Sequence, residues 1–327
     1  MNVLLIHIDG KLPNLALMKL AHWHRSLGDT VTLTRYRRRD LFDPHYDKVY
    51  ASAIFSESQK CFPHIVNDWP DAIIGGTGSR SWQTVESIIG HDYEFYDYQD
   101  YPDYQPSIGF TIRGCQLNCK FCVVPQKEGK PYPVNSINQI YRGHPYPKKL
   151  HLLDNDCFGH VSWHDHIQEI IDAKFRVCFS QGINIRLITD ETAAALASIE
   201  YRDTKFNRRV LYCAWDNLKE EQTFFEGITK LEQAGIPPAN VRAYMLIGYD
   251  PRETWDRIWY RFNRMVDRGI EPYPMVFRAH DKQAPADLKC FQRWVNLGLY
   301  RFVAWPDYRR KTKSDESVAA WHRLHTN

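Results

Sequence analysis

Short apolar runs separated by longer stretches of mixed polarity recur along most of the chain. In the first hundred residues the runs fall at 3–8, 30–34, 48–54 and 72–75, and their length and β-branched content predict strands. Between the first two lies a helical pattern over 14–27, with Pro13 near its start and Gly28 just past its end, the usual punctuation of a helix. Leu17, Leu20, Ala21 and His24 fall on one face of that helix, which predicts packing on a sheet. Strand and helix in alternation imply a small doubly wound parallel sheet. From residue 107 the runs fall at 108–113, 149–153, 176–180, 210–214, 241–247 and 274–278, with helical stretches between them, a spacing suited to a partial barrel of six parallel strands. The barrel pattern ends there. A further helix is predicted over 288–299, with Phe291, Trp294, Val295 and Leu299 available to pack on the open side. The expected division is therefore a doubly wound domain over 1–100, a barrel over 101–280 and a helical, basic and aromatic extension over 281–327.

Composition narrows the class without naming a reaction. The 327 residues are 43% hydrophobic and 25% charged, as in an ordinary globular protein, and 8 are cysteine. No run approaches the ~20 apolar residues of a membrane span, and the start, Met1-Asn-Val-Leu-Leu-Ile, lacks a basic region and cleavage site, so no membrane association and a cytoplasmic location are expected. A net charge of +3 is too small to argue for nucleic acid. Two patches interleave basic and aromatic residues: Arg35, Arg37, Arg38 and Arg39 around Tyr36, and Arg301, Arg309, Arg310, Lys311 and Lys313 among Phe302, Trp305 and Tyr308. Such interleaving suits phosphate contact and base stacking, or simply a solvated face.

The densest chemistry lies in one run. Cys115, Cys119 and Cys122 place three thiols within eight residues, directly after Gly114. A structural zinc site closes with a fourth ligand at short spacing, whereas the next histidine is His144 and the next cysteine Cys157. Three thiolates can instead occupy three corners of a cubane iron-sulfur cluster and leave one iron open. With Phe121 before the last cysteine, the run C-x3-C-x-aromatic-C resembles the signature of the radical SAM enzymes. That resemblance implies one 4Fe-4S cluster held by the three cysteines and S-adenosylmethionine bound at the fourth iron. It also implies an external electron donor of flavodoxin or ferredoxin type, and reductive cleavage to a 5'-deoxyadenosyl radical that modifies a substrate, here unidentified.

The same resemblance distributes further roles. Asn155 and Asp156, after the second barrel run, stand where the family contacts the amino group of the cosubstrate, though a glycine-glutamate pair is absent and an Asx turn would also explain them. In the polar run 180–186, Gln181 and Asn184 could bond ribose or substrate, and Arg186 could clamp a carboxylate or form a structural ion pair. Asp216 is a candidate for ribose. Gly248, in Met245-Leu-Ile-Gly-Tyr-Asp-Pro-Arg-Glu253, would let backbone approach adenine, with Ile247 packing on the ring or merely in the core. Cys157, Cys178 and Cys213 read as core residues, and His164 and His166 diverge on a helix instead of sharing a metal.

The first domain is similar to the flavodoxin-like, cobalamin-binding type that precedes many radical SAM barrels. Asp9 is followed by Gly10 and Lys11 and not by the D-x-H-x-x-G motif, so cobalamin is not expected. Gly75 to Gly78 could cradle a phosphate or form a tight turn. Cys122-Val-Val-Pro125 with Gly129 resembles the methylthiotransferases, which makes a tRNA- or RNA-modifying enzyme an alternative. Those enzymes carry three cysteines in their first domain, where this chain has only Cys61. A non-catalytic iron-sulfur binding or sensing module is a second alternative. Taken whole, the order of motifs resembles a group of bacterial and phage radical SAM proteins whose substrates are not established.

Overall fold

The computed structural model describes residues 1–81, 83–278, 285–308 and 314–325, and the chain divides into two compact units, Met1–Gln105 and Pro106–Asn327. The first unit runs β1 (Asn2–His7), α1 (Leu15–Ser26), β2 (Thr30–Arg35), β3 (Lys48–Ser52), α2 (Phe62–Asp68), β4 (Ile73–Gly75) and α3 (Val85–Ile89). Its four strands form one parallel sheet in the order β2-β1-β3-β4. Successive side chains of a strand point to opposite faces, and β1 uses both. Val3 and Leu5 pack with Leu17, Leu20 and Ala21 of α1 and Val85 of α3, whereas Leu4 and Ile6 pack with Ile65 of α2 and Trp69. Burial on two faces is why this run is continuously apolar instead of alternating.

Asn14 caps α1, its Oδ1 accepting the Leu17 N–H at 3.2 Å while its amide donates to Ser52 Oγ at 2.9 Å. The Gly75 to Gly78 segment is a tight turn: Gly76 has φ +90°, and a Cβ there would stand 2.2 Å from the Ala53 carbonyl oxygen. Two arginines of the first basic patch are paired with acids of their own unit. Arg37 bonds Asp43 at 2.8 Å, and Arg38 holds both oxygens of Asp68 at 2.7 and 2.8 Å.

The second unit continues with β5 (Ser107–Gly109), β6 (Ile112–Arg113), α4 (Val124–Lys127), β7 (Tyr132–Pro133), α5 (Ile137–Ile140), β8 (Lys149–Leu152), α6 (Trp163–Ala173), β9 (Arg176–Phe179), α7 (Asp190–Ala197) and β10 (Glu200–Tyr201). It ends with β11 (Leu211–Ala214), α8 (Glu221–Gln233), β12 (Val241–Ile247), α9 (Trp255–Asp267), β13 (Glu271–Val276), α10 (Ala286–Asn296) and α11 (Asp315–His325). Two parallel sheets, β10-β9-β8-β5 and β11-β12-β13, carry the strands. Past β9, the Ile183 N–H donates to the Tyr212 carbonyl of β11 at 2.7 Å, which ties the two sheets together. Leu150, Val177, Leu211, Val241 and Met245 from both sheets share one hydrophobic core with the helices, while Cys178, Tyr212 and Tyr244 cluster on the opposite face. Mixed α/β architecture with parallel sheets is thus observed.

Three boundaries differ from the sequence reading. The first barrel run, 108–113, is broken into β5 and β6, because the Thr111 N–H bonds the Asp154 carboxylate at 2.7 Å instead of a neighbouring strand. The last strand begins at Glu271 and includes Pro272 and Pro274; β13 is the edge of its sheet, where a residue without an N–H is tolerated. The segment after 280 does not stand apart. Helix α10 packs on β13, with the Gln292 and Asn296 amides both donating to the Pro274 carbonyl at 3.1 Å, and α11 packs on α9. Arg309, Arg310, Lys311 and Lys313 of the second basic patch lie outside the described residues, Arg301 lies over the Tyr300 ring at 4.8 Å, and Trp305 is fully buried. No helix among the described residues is long and apolar enough to cross a membrane.

Candidate functional site

Strands β6 and β7 form a short antiparallel ladder that pairs Arg113 with Tyr132 and closes the cysteine run into a loop. Gly114, at φ +83°, makes the entry: a Cβ there would stand 2.3 Å from the Lys130 carbonyl oxygen, so only glycine lets the two ends approach. The Cys115 N–H donates to the Gly129 carbonyl at 3.1 Å. Glu128 ties the same ends through its side chain, accepting from the Arg113 guanidinium at 2.9 Å, the Gly114 N–H at 3.1 Å and the Asn155 amide at 3.3 Å. Burial opposes ionisation of Glu128, but the Arg113 guanidinium and these donors outweigh it and hold its carboxyl below the ordinary range.

Within the loop, Cys115, Cys119 and Cys122 are all half-buried free thiols. The Cys122 N–H donates to the Cys119 carbonyl at 2.9 Å, and the Leu117 N–H points to Cys115 Sγ at 3.4 Å. Burial pushes the Cys115 thiol up to about 11 and raises that of Cys122. Such thiols stay protonated at neutral pH and release protons when a metal takes them as thiolates. Among the described residues, no group of three or more His, Cys, Asp or Glu converges on a single metal ion.

Several expected residues gather on this loop. Asp156 accepts the Gln116 N–H at 3.0 Å and the Gln116 side-chain amide at 3.2 Å. Asn155 reaches it through Glu128. Arg186 forms an ion pair with Glu220 and directs its other terminal nitrogen to Cys119 Sγ at 3.5 Å. Phe121 is 38% exposed and meets Tyr249 edge-on at 5.4 Å, and Tyr249 meets Phe277 at 4.9 Å. Asp216 lies close enough to Cys122 to oppose its ionisation; burial raises its own pKa, and it accepts the Leu246 N–H at 2.8 Å.

The remaining expected residues are placed otherwise. Ile247 is fully buried in the hydrophobic core, so it packs there and not on a ligand ring. Gly248 turns at φ +77°, its N–H held by Glu253 at 2.6 Å. Gln181 is exposed. Asn184 keeps a buried amide nitrogen with no hydrogen-bond partner, on the loop that carries Arg186. Cys157, Cys178 and Cys213 are buried apart from the cysteine loop, in the two hydrophobic clusters of this unit. His164 is exposed against Glu191 at 3.1 Å while His166 is buried, so the two diverge.

Three features went unread in the sequence. Glu128 organises the loop although nothing in its local run distinguishes it from a surface acid. Asp154 is fully buried against Thr111, and burial pushes its carboxyl up to about 7. His151 Nε2 lies 2.6 Å from Ser180 Oγ, the Tyr244 hydroxyl donates to the Ser180 carbonyl at 2.8 Å, and burial lowers the His151 pKa to about 4. A histidine inside the apolar run 149–153 was the available signal for this last group. Comparison with protein-family models, curated proteins and solved structures finds no match.

Proposed function

We propose that this chain is a radical SAM enzyme whose Cys115, Cys119 and Cys122 hold one 4Fe-4S cluster. The observation that carries the reading is the cysteine loop itself. Three half-buried thiols follow the first parallel strand of the second unit, on a loop locked at its neck by Gly114 and Glu128. The order of six principal parallel strands, each followed by a helix or loop, supports a partial barrel with this loop at its mouth, where working residues of such folds gather. The sheet order β2-β1-β3-β4 supports a flavodoxin-like first domain.

When bound, the cluster supplies one electron to the sulfonium of S-adenosylmethionine, yielding methionine and a 5'-deoxyadenosyl radical. The chain's own residues would orient that cosubstrate. Asn155, half-buried beside the loop, offers an amide oxygen to an ammonium group, whereas Asp156 is buried against Gln116 and holds the loop itself; Phe121 with Tyr249 offers aromatic surface. Arg186 is engaged by Cys119 and Glu220. A carboxylate would therefore draw on another donor, and the unpaired amide of Asn184 on the same loop is suited to it.

Anaerobic reconstitution tests the proposal. Full-length protein should bind about four irons per chain, show the spectrum of a reduced cubane that changes on adding S-adenosylmethionine, and release 5'-deoxyadenosine. Cys119→Ala should abolish the cluster. An intact cluster whose spectrum ignores S-adenosylmethionine and which yields no 5'-deoxyadenosine would instead support the non-catalytic binding module.

A further inference from the structure

We infer that Arg186 and Glu220 form a charge pair acting on the Cys119 sulfur, which sets how readily the cluster takes up an electron. The inference rests on the cluster-binding reading above. Arg186 lies just past β9 on the loop 180–188, and Glu220 at the start of α8, so two separate elements aim the guanidinium at the cysteine loop. One terminal nitrogen donates to Cys119 Sγ at 3.5 Å and the other is held by the Glu220 carboxylate. The side chains are 21% and 30% exposed, so their charges are only partly screened by solvent.

The three cysteines are not equivalent. Asp156 stands near Cys115, and Glu128 and Asp216 near Cys122, all carboxylates, whereas Cys119 receives a guanidinium. Hydrogen bonds to cluster sulfurs, and the net charge around them, set the potential of an iron-sulfur centre. Reduction adds one negative charge to the cluster and its thiolates. A cation donating to one sulfur favours the reduced form and raises the potential, while the carboxylate paired with that cation tempers the effect. Arg186 is therefore a positioning and tuning residue acting through Cys119, not a group that must touch the cosubstrate.

The opposite charges of the pair give the test its sign. Full-length wild type, Arg186→Gln, Arg186→Lys and Glu220→Gln are reconstituted anaerobically, iron and sulfide are counted, and the midpoint potential is read by electron paramagnetic resonance during a mediated dithionite titration. With equal cluster content, Arg186→Gln should move the midpoint down and Glu220→Gln should move it up. Arg186→Lys, which keeps the charge but not the fork, should fall between Arg186→Gln and wild type. Should Arg186→Gln fail to hold a cluster, the Lys and Glu220→Gln variants still carry the test. Midpoints that do not move, or that move in the same direction for Arg186→Gln and Glu220→Gln, overturn the inference while leaving cluster binding intact. A wild type that assembles no cluster overturns the underlying reading as well.

Discussion

Asp154 illustrates how strongly a fold can alter one residue. Its carboxyl is buried at the end of β8 and bonded to Thr111, and burial raises its pKa from the ordinary 3.8 to about 7. The folded chain thus binds this proton more tightly than the unfolded chain. The stability that Asp154 contributes is fully present below the unfolded pKa and is lost as pH rises toward 7, with a slope of up to about 1.4 kcal/mol per pH unit. Urea melts of wild type and Asp154→Asn across that window should show the slope in the first and its loss in the second; parallel curves would refute the assignment. Gly114 is the second sensitive position. Gly114→Ala forces a Cβ against the Lys130 carbonyl at a positive φ and should cost about 1–3 kcal/mol; under the proposed cluster-binding function it should also lower the iron retained after reconstitution. Unchanged iron content and melting would mean that the loop neck can relax. Of these residues only the glycine stood out in the sequence, as the residue before the first cysteine. Asp154 did not, because its burial depends on Thr111, 43 residues away.

At the scale of elements, α9 links the core to the site. Its apolar residues Trp255, Ile258, Trp259, Phe262 and Met265 recur at helical spacing and are buried. Between them Arg261, 1% exposed, donates to the carbonyls of Trp215 and Asp216 at 3.2 Å and Leu246 at 3.0 Å, and pairs with Glu253. A buried guanidinium thus satisfies the carboxyl ends of β11 and β12, and Glu253 in turn holds the Gly248 N–H. Arg261→Ala leaves Glu253 and three carbonyls without their donor, and should cost about 3–5 kcal/mol in chemical denaturation. A loss below about 1 kcal/mol would show that water replaces the guanidinium. A helical stretch between the runs 241–247 and 274–278 was expected from the sequence. The role of Arg261 was not, since a charged residue on a helix reads as exposed until the elements around it are known.

At the scale of the whole molecule, each unit has its own hydrophobic clusters: two cover the faces of the first sheet, and a large core spans both sheets of the second. A polypeptide of residues 1–105 is long enough to bury a core of its own. Expressed alone it should give parallel-sheet circular dichroism and a cooperative thermal transition, and a broad, non-cooperative melt would show that it depends on the rest of the chain. The sequence placed this boundary at residue 100, near the observed Gln105, but separated the segment after 280 from the rest of the second unit. Loss of the strand-and-helix rhythm marked the end of the repeat. It did not reveal that the side-chain amides of α10 bond to β13.

Apolar periodicity and the spacing of three cysteines, read from the sequence alone, determined where most of the strands and the helices α1 and α10 lie, that the three larger sheets are parallel, and which loop carries the thiols. These are local properties: side-chain period and short spacing along one segment decide them. Tertiary structure alone decided that Glu128 locks the loop, that Ile247 packs in the core, that His151 meets Ser180, and that Arg186 faces the Cys119 sulfur from 67 residues away. A buried or paired charge owes its state to desolvation and to partners brought near by packing, and neither is written in the residues beside it.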